Sequence, residues 1–230
     1  SGYNAIDLPA AQPQDPRFQY DCFGLGTGAG LRVFTTNPAQ RALSLAGGWG
    51  LLVDLNGRDR YRSANFSQGH GYFYGFGMKL DLNGDDDHQA ARYGHGTAAH
   101  FGVGLVIDYQ GKDRYGSKGP FYNGGAAWDG SVAVAIDGGP MSDFYDLPSS
   151  TGLGMGDLGG WGLFIEEGGA DQYAITLGLG HASDVSIGAF FDLEGRDDYT
   201  SVGAPVSGVP PERLNRKVYI ENAGSLFIDR

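Results

Sequence analysis

Six copies of one pattern, Asp-x-x-Gly-x-Asp-x-Tyr with variations, constrain the fold of this chain more than any other feature of its sequence. The first acids of the copies are Asp54, Asp81, Asp108, Asp137, Glu166 and Asp192, so successive copies lie 27, 27, 29, 29 and 26 residues apart. The second acids are Asp59, Asp86, Asp113, Asp143, Asp171 and Asp197. A period this regular is typical of a repeat architecture.

The residues before each first acid predict a β-strand. In the first copy the bulky residues Trp49, Leu51 and Val53 alternate with Gly48 and Gly50. Alternation with a period of two gives a strand with one apolar face, and we expect that face to line the core. The Asp/Gly segment that follows is a turn, because glycine tolerates positive φ and aspartate bonds nearby amides.

A second glycine marks another corner of each unit. It lies twelve residues before the first acid in five copies, at Gly69, Gly96, Gly125, Gly154 and Gly180. One such unit cannot bury its own apolar face, whereas units stacked in register can. The prediction is an all-β fold, a parallel β-helix-like β-solenoid of about six coils with a repeat of about 27 residues.

The repeats divide the chain into three parts. Residues 42–202 form the six-coil repeat domain, residues 1–41 an N-terminal arm and capping segment, and residues 203–230 a C-terminal connection with a partial coil. Stacking in register also predicts two ladders of alternating charge. Opposite charges that face each other across neighbouring strands would stabilise the strand pairing by a few tenths to about 1 kcal/mol per pair. The ladders are Arg58, Asp85, Lys112 and Arg60, Asp87, Arg114.

Charge and hydropathy exclude some partners. The net charge of −11 and pI near 4.7 argue against binding nucleic acid or anionic membranes. The longest apolar run, Val132 to Ile136, is too short for a membrane helix, and we predict no membrane insertion. The alternative arrangement of the same strands is a set of transmembrane hairpins turning at Asn56-Gly57 and Asn83-Gly84, but these strands are short.

The two ladders of acids are the strongest chemical feature of the sequence. Unit charges about 4.8 Å apart repel by about 3 kcal/mol at an effective dielectric of 20. Three things can offset that repulsion: amides of the turns, nearby arginine and lysine side chains, or bound cations.

The motif segments Gly57-Arg58-Asp59-Arg60-Tyr61 and Gly168-Gly169-Ala170-Asp171-Gln172-Tyr173 resemble part of the nonapeptide of RTX calcium-binding β-rolls. That nonapeptide reads Gly-Gly-x-Gly-x-Asp-x-U-x, where U is a bulky residue. The resemblance implies calcium held between turns by carboxylate and carbonyl oxygens.

We take eleven aspartates as candidate calcium ligands, with the most acidic turn, Asp81 to Asp87, as the best single site. They are Asp54, Asp59, Asp81, Asp85, Asp86, Asp87, Asp108, Asp113, Asp171, Asp192 and Asp197. The alternative is that each aspartate caps its own turn.

Histidines and aromatic residues leave further alternatives open. His70, His95 and His181 lie near the second corner and form either a metal or general-base cluster or a set of solvent-facing residues. Tyr72 and Trp128 belong to a group of aromatic residues that either fills the interior or offers a platform for carbohydrate.

The sequence favours a non-catalytic repeat protein, located outside the cell or on its surface, that acts as a structural scaffold or binding module with calcium as its stabilising ion. One alternative is a polysaccharide-active β-helix enzyme, a lyase or hydrolase. The Glu166-Glu167 pair suggests acid/base catalysis of this kind, but adjacent strand residues point to opposite faces, so we do not expect the two to act together. Another is a self-assembling subunit joined head-to-tail through the open ends of the solenoid.

Overall fold

The computed structural model describes residues 28–29, 31–32, 44–45, 48–117, 119–203 and 210–230. In these residues the chain is a β-solenoid of stacked parallel sheets, which confirms the predicted fold class. The predicted N-terminal arm and capping segment, residues 1–41, lies outside the described residues except for two short strands. Residues 204–209 of the C-terminal connection also lie outside them.

The first sheet contains the long strands that precede each first acid. Its parallel strands are β4 (Trp49–Asp54), β7 (Phe76–Asp81), β10 (Val103–Asp108), β14 (Val132–Asp137), β17 (Trp161–Glu166), β19 (Ile187–Asp192) and β22 (Ser225–Asp229), and β21 (Val218–Tyr219) pairs antiparallel with β22 at the edge. Each motif position pairs with the same position of the next copy, as Asp81 does with Asp108. Because neighbouring copies pair in parallel, the alternative hairpin arrangement is wrong.

The second and third sheets complete each coil. The second sheet contains β5 (Arg60–Arg62), β8 (Asp87–Ala90), β11 (Arg114–Ser117), β15 (Phe144–Gly152), β18 (Gln172–Gly178) and β20 (Asp198–Val202), with β12 (Phe121–Asn123) paired to β15. The third sheet contains β1 (Gly28–Ala29), β6 (Gly71–Tyr72), β9 (Ala98–Ala99), β13 (Ala127–Trp128) and β16 (Gly156–Asp157). Outside these sheets, β2 (Leu31–Arg32) pairs antiparallel with β3 (Ser44–Leu45), and a 3-10 helix spans Pro211–Arg213.

The two predicted corners lie where the sequence placed them. The Asp/Gly segment connects the first sheet to the second, and the second-corner glycine lies between the second sheet and the third. All five second-corner glycines have positive φ, between 67° and 84°. The predicted charge ladder from Arg60 through Asp87 to Arg114 is also in register across β5, β8 and β11.

The structure corrects the prediction of which face of the long strands is buried. The bulky apolar residues point outward, and Trp49 is 85% exposed while Trp161 is 56% exposed. The small residues and the acids between them point inward and are buried in six of the long strands. The tight corner explains this choice, because a Cβ on Gly104 would lie 1.9 Å from the carbonyl oxygen of Thr97.

We call the outward residues of the long strands the apolar outer face. They are Trp49, Leu51 and Val53 in β4; Phe76, Met78 and Leu80 in β7; Val103, Leu105 and Ile107 in β10; Val132, Val134 and Ile136 in β14; Trp161, Leu163 and Ile165 in β17; Ile187, Ala189 and Phe191 in β19; and Leu226 and Ile228 in β22. Each of these side chains is exposed or half-buried.

A stack of rings fills the interior beside the acids. Its members are Tyr61, His88, Tyr115, Tyr145, Tyr173 and Tyr199, whose neighbouring ring centroids lie 4.5–5.2 Å apart. A second stack, Phe164, Phe190 and Phe227, packs against it from the first sheet. The motif tyrosine therefore lies in the core, and in the later coils a phenylalanine ring packs beside it.

Candidate functional site

The first acids of the repeat lie inside the solenoid, where the long strand meets the Asp/Gly corner. From Asp81 to Asp229, each is no more than 2% exposed. Asp54, in the outermost of these strands, is half-buried and accepts a hydrogen bond from the Asn56 amide over 3.3 Å. Strand alternation places the acids here, since the small inward residue four positions earlier lies on the same face.

Tyrosine hydroxyls donate to one oxygen of most of these buried carboxylates, whereas the second oxygen of Asp81, Asp108, Asp137 and Asp192 has no partner among the described residues. Tyr115 donates to Asp108 over 3.0 Å and Tyr145 donates to Asp137 over 2.5 Å. Tyr61 donates to Asp81 of the next coil over 2.7 Å. In the last coils, Tyr173 and Tyr199 both donate to Asp192, and Tyr199 also reaches Asp229, each over 2.9 Å.

The second acids link neighbouring coils. Oδ1 of Asp86 accepts the backbone amide of Asp59 over 2.6 Å, and Oδ1 of Asp113 accepts that of Asp86 over 2.7 Å. The pattern continues through Asp143 and Asp171 to Asp197, over 2.5–2.8 Å. The aspartates therefore cap turns, as one alternative held, but each caps the turn of the coil before it instead of its own.

Burial and mutual repulsion raise the pKa values of these carboxyl groups. Burial, followed by the charges of Asp108 and Asp137, raises the pKa of Asp113 to about 9. Burial raises the pKa of Asp143 and of Asp192 to about 8. The interior thus destabilises an ionised carboxylate, so each carboxyl group there needs a proton or a cation to neutralise it.

One corner contains a cation supplied by the chain itself. Lys79 is 1% exposed, and its Nζ lies 3.4 Å from Oδ2 of Asp81 and 3.6 Å from Oδ2 of Asp108. The same ammonium lies 2.8 Å from Nδ1 of His88 and 3.9 Å from the centre of the Tyr61 ring. We call these residues the Lys79 corner, and it lies in the turn that the sequence favoured for calcium.

Another corner contains carboxylates that form no ion pair with a basic side chain of the described residues. One carboxylate oxygen each of Asp143, Glu166 and Asp171 lies within 4.8 Å of the others, and all three residues are buried. We call them the Glu166 cluster. Neither carboxylate oxygen of Glu166 accepts a hydrogen bond from a donor group of the described residues, since Tyr173 donates to Asp192 instead. The Asp171 carboxyl lies close enough to share a hydrogen bond with Glu166 when one of the two is protonated. A second group, Asp171, Asp192 and Asp197, shares Asp171 with this cluster.

The structure places the eleven predicted ligands in different surroundings. Asp86, Asp108 and Asp113, with His88, form a buried group at the Lys79 corner, and Asp171, Asp192 and Asp197 form another. Asp85 is exposed and accepts the amide of Lys112, while Asp87 pairs with Arg62 over 3.1 Å. Asp81 is buried beside Lys79, whereas Asp54 and Asp59 are half-buried in the first coil, and none of these three belongs to either group.

Sequence reasoning missed three residues that matter here. Asp143 and Glu166 stand in the acid ladders but were not chosen as ligands, and Lys79 was not recognised as an inward residue. Its position was the available signal, because it stands two residues before the first acid, where the other copies carry Leu52, Val106, Ala135, Phe164 and Phe190.

The histidines do not form a cluster of exposed bases. His70 is buried against Thr97 Oγ1 over 2.7 Å, and burial lowers its pKa to about 3. Burial lowers the pKa of His95 to about 4. The expectation that these two corner histidines face solvent is therefore wrong. Glu166 is buried whereas Glu167 is exposed, so this pair does not face one common substrate.

An aromatic pocket of about 220 Å³ lies on the outer side of the third sheet. It is lined by Phe66, Tyr72, Arg92, Tyr93, Ala99, His100, Phe121 and Trp128. The centroid of the His100 ring lies 5.3 Å from that of the Tyr72 ring and 4.8 Å from that of the Trp128 ring. Its Nδ1 lies 2.7 Å from a carboxylate oxygen of Asp129. The pocket thus combines aromatic faces with a guanidinium and an imidazole.

Comparison with known proteins identifies no relative of this chain. Among the described residues, no helix is long and apolar enough to cross a membrane. No protein-family model, no curated protein and no solved structure matches the chain.

Proposed function

We propose that this protein is a non-catalytic structural scaffold whose interior is stabilised by bound divalent cations, with calcium at the Glu166 cluster. The observation that carries the proposal is the buried Glu166 carboxylate, which, when ionised, receives no hydrogen bond from a donor group of the described residues. A buried acceptor without a partner costs about 1–3 kcal/mol, and more when it is charged. A cation would remove that cost.

The Lys79 corner supports this interpretation by contrast. There the same kind of carboxylate pair surrounds an ammonium group. In β17 the equivalent inward residue is Phe164, which carries no charge. The repeat therefore places acids at the same position in every coil, whereas the neutralising group is encoded in only one of these two corners.

The ligand chemistry favours calcium. Calcium binds oxygen ligands at about 2.3–2.6 Å, so oxygens up to about 5 Å apart can share one ion. The three carboxylates of the Glu166 cluster meet this condition. Burial disfavours magnesium, because that ion retains several of its waters. The predicted location outside the cell or on its surface stays a prediction.

Thermal and urea unfolding after exhaustive chelation, with and without added calcium, test the proposal. Calcium at a hundredfold excess over Kd should add about 2.7 kcal/mol to the free energy of unfolding. Terbium gives a second readout, since Tyr145 and Tyr173 stack beside the Glu166 cluster and can sensitise its luminescence.

Two matched variants identify the site. Glu166→Gln should abolish the calcium-dependent shift and most of the terbium signal. Glu167→Gln changes the exposed neighbour and should leave both unchanged. If calcium adds no stability to the wild type, or if Glu166→Gln raises the stability of the chelated protein and terbium gives no signal, shared protons neutralise the cluster and the cation proposal is wrong.

The aromatic pocket favours a second candidate function, which is carbohydrate binding. Sugar rings stack on aromatic faces, and Trp128 and Phe121 belong to the lining of the pocket. Arg92, whose guanidinium lies 5.2 Å from the Phe121 ring centre, can donate hydrogen bonds to hydroxyl or carboxylate groups of a sugar.

Calorimetric titration with cellohexaose, xylohexaose and an oligogalacturonate tests this candidate. Binding of one of them that weakens at least tenfold in Trp128→Ala, but not in the control Tyr109→Ala, would support it. Tyr109 is 56% exposed and does not line the pocket. Absence of binding by all three would remove this candidate.

A further inference from the structure

The apolar outer face is an uncharged surface that runs across every long strand of the first sheet. From β4 to β19 each strand contributes three outward positions, and all eighteen carry apolar side chains. This composition is unusual for a chain of which 19% is charged and whose net charge is −11. A contiguous apolar surface of this size marks an interaction site.

We propose that the apolar outer face is the interface between two copies of this chain, packed sheet against sheet. The proposal is independent of the cation site, which lies on the inward face of the same strands. It also differs from head-to-tail association, because it uses the side of the solenoid and leaves the ends unpaired.

The parallel arrangement of the first sheet suggests that another surface covers this face. Parallel sheets occur almost only with both faces covered. The inward face of the first sheet is covered by the ring stacks, whereas on the outward face Trp49 is 85% exposed and Trp161 is 56% exposed. The side that lacks a cover is therefore the flat outer side.

The area matches what a stable dimer needs. Seven strands spaced about 4.8 Å apart and about 20 Å long give a flat area of roughly 700 Å² per copy. Two copies would then bury on the order of 1,400 Å², which lies within the usual range of about 1,200–2,000 Å² for specific interfaces. Two sheets pack about 10 Å apart, and side chains of both faces interdigitate between them.

The charge of the chain does not oppose a second copy as the occupant of this face. A net charge of −11 makes two copies repel wherever acidic surfaces approach. The apolar outer face contains no charged side chain, so its pairing with an identical face desolvates no ion. A two-fold axis brings the same patch of both copies together, which is the commonest arrangement of homo-oligomers. Trp49 and Trp161 lie on that patch, and tryptophan is enriched among residues that dominate binding energy.

Sedimentation velocity and light scattering over a range of concentrations test the proposal, with Trp161→Lys as the disrupting variant. The wild type should sediment as a dimer, and Trp161→Lys should dissociate at least tenfold more readily. The control is Gln172→Lys, which puts the same charge on an exposed residue of β18 in the second sheet and should leave the dimer intact. Because Trp161 is exposed, its replacement should keep the fold, which circular dichroism and the melting temperature verify.

Two outcomes would overturn the proposal. One is a wild type that stays monomeric up to about 100 μM, since a Kd of that size corresponds to only about 5.5 kcal/mol. The other is a monomer that binds neutral phosphatidylcholine vesicles through Trp161, in which case the face docks on lipid. Measuring each state with calcium and with chelator separates this result from the cation site, because the dimer should persist wherever the solenoid remains folded.

Discussion

The Lys79 corner and the Glu166 cluster solve the same electrostatic problem in different ways. Both place buried carboxylates at the corner between the first and second sheets. In the former, an ammonium 3.4 Å from Asp81 supplies the opposite charge. In the latter, the chain supplies none, and the pKa of Glu166 is raised to about 12 by burial and by Asp171 and Asp192. The comparison shows that a repeat can preserve its fold while its coils differ in what neutralises them.

The largest effect should come from removing the encoded cation. Lys79→Met leaves Asp81 and Asp108 buried without their charge partner, and breaking a buried pair costs about 3–5 kcal/mol. Urea unfolding measures the loss, which calcium should partly restore if this corner then resembles the Glu166 cluster. Lys112→Met, at an exposed position, should change stability by no more than about 0.5 kcal/mol. If Lys79→Met lowered the free energy of unfolding only slightly, the buried ammonium would not be what stabilises this corner.

The next largest effect should be a pH dependence that differs between metal-free and calcium-bound protein. Burial raises the folded-state pKa of Asp143 and Asp192 to about 8, well above the unfolded value near 4. The folded state therefore holds protons that the unfolded state has lost, so metal-free stability is greatest below about pH 4 and falls as pH rises through 8. Calcium competes with these protons, so its presence should flatten or reverse the slope between pH 5 and pH 8. Melting temperatures across this range measure both slopes, and identical slopes would contradict the cation proposal.

A smaller effect should distinguish acids with one tyrosine donor from acids with two. Tyr145→Phe removes the one hydroxyl that reaches Asp137 and should cost about 1–3 kcal/mol. Tyr173→Phe should cost less, because Asp192 keeps the hydroxyl of Tyr199. Chemical denaturation of the two variants under identical conditions measures the difference, and equal losses would show that the second donor adds nothing.

The smallest effect should come from the exposed ion pair beside the same strands. Arg62 lies 3.1 Å from Asp87, and the Arg62 side chain is 59% exposed. Arg62→Ala should cost about 0.2–1 kcal/mol, and high salt should remove that cost by screening the pair. Unfolding at low and high ionic strength measures it, and a loss approaching that of Lys79→Met would mean that burial does not set the difference between corners.

Much of the fold could be predicted because its signals are periodic. The spacing of the acids predicted a parallel stack, and the second glycine of each unit predicted a corner, where the structure shows positive φ. Positive φ was instead expected at the motif glycine, and Gly57, Gly84 and Gly111 do not have it. These features follow from backbone geometry, which repeats from coil to coil. The position of the motif tyrosine, from Tyr61 to Tyr199, also follows the period.

Apolar alternation alone does not show which face of a strand points into the core. Two apolar faces are possible in a parallel sheet, and the bulky residues were wrongly placed in the core. The glycine four residues before the acid held the missing information, because Gly104 faces the side on which the Thr97 backbone leaves no room for a side chain. The Glu166 cluster required three-dimensional contacts, since the hydroxyl of Tyr173 reaches Asp192 and leaves Glu166 without a donor.

The parallel register of the coils also determines how the protein should respond to a stretching force. Each coil contacts mainly its two neighbours, as β17 pairs only with β14 and β19 in the first sheet. Tension applied between the two ends of the chain would therefore detach coils singly, starting from an end of the stack. Each detached coil releases about 27 residues, or roughly 90 Å of extended chain, while the stack shortens by only about 5 Å. The solenoid would thus lengthen in regular steps, one coil at a time.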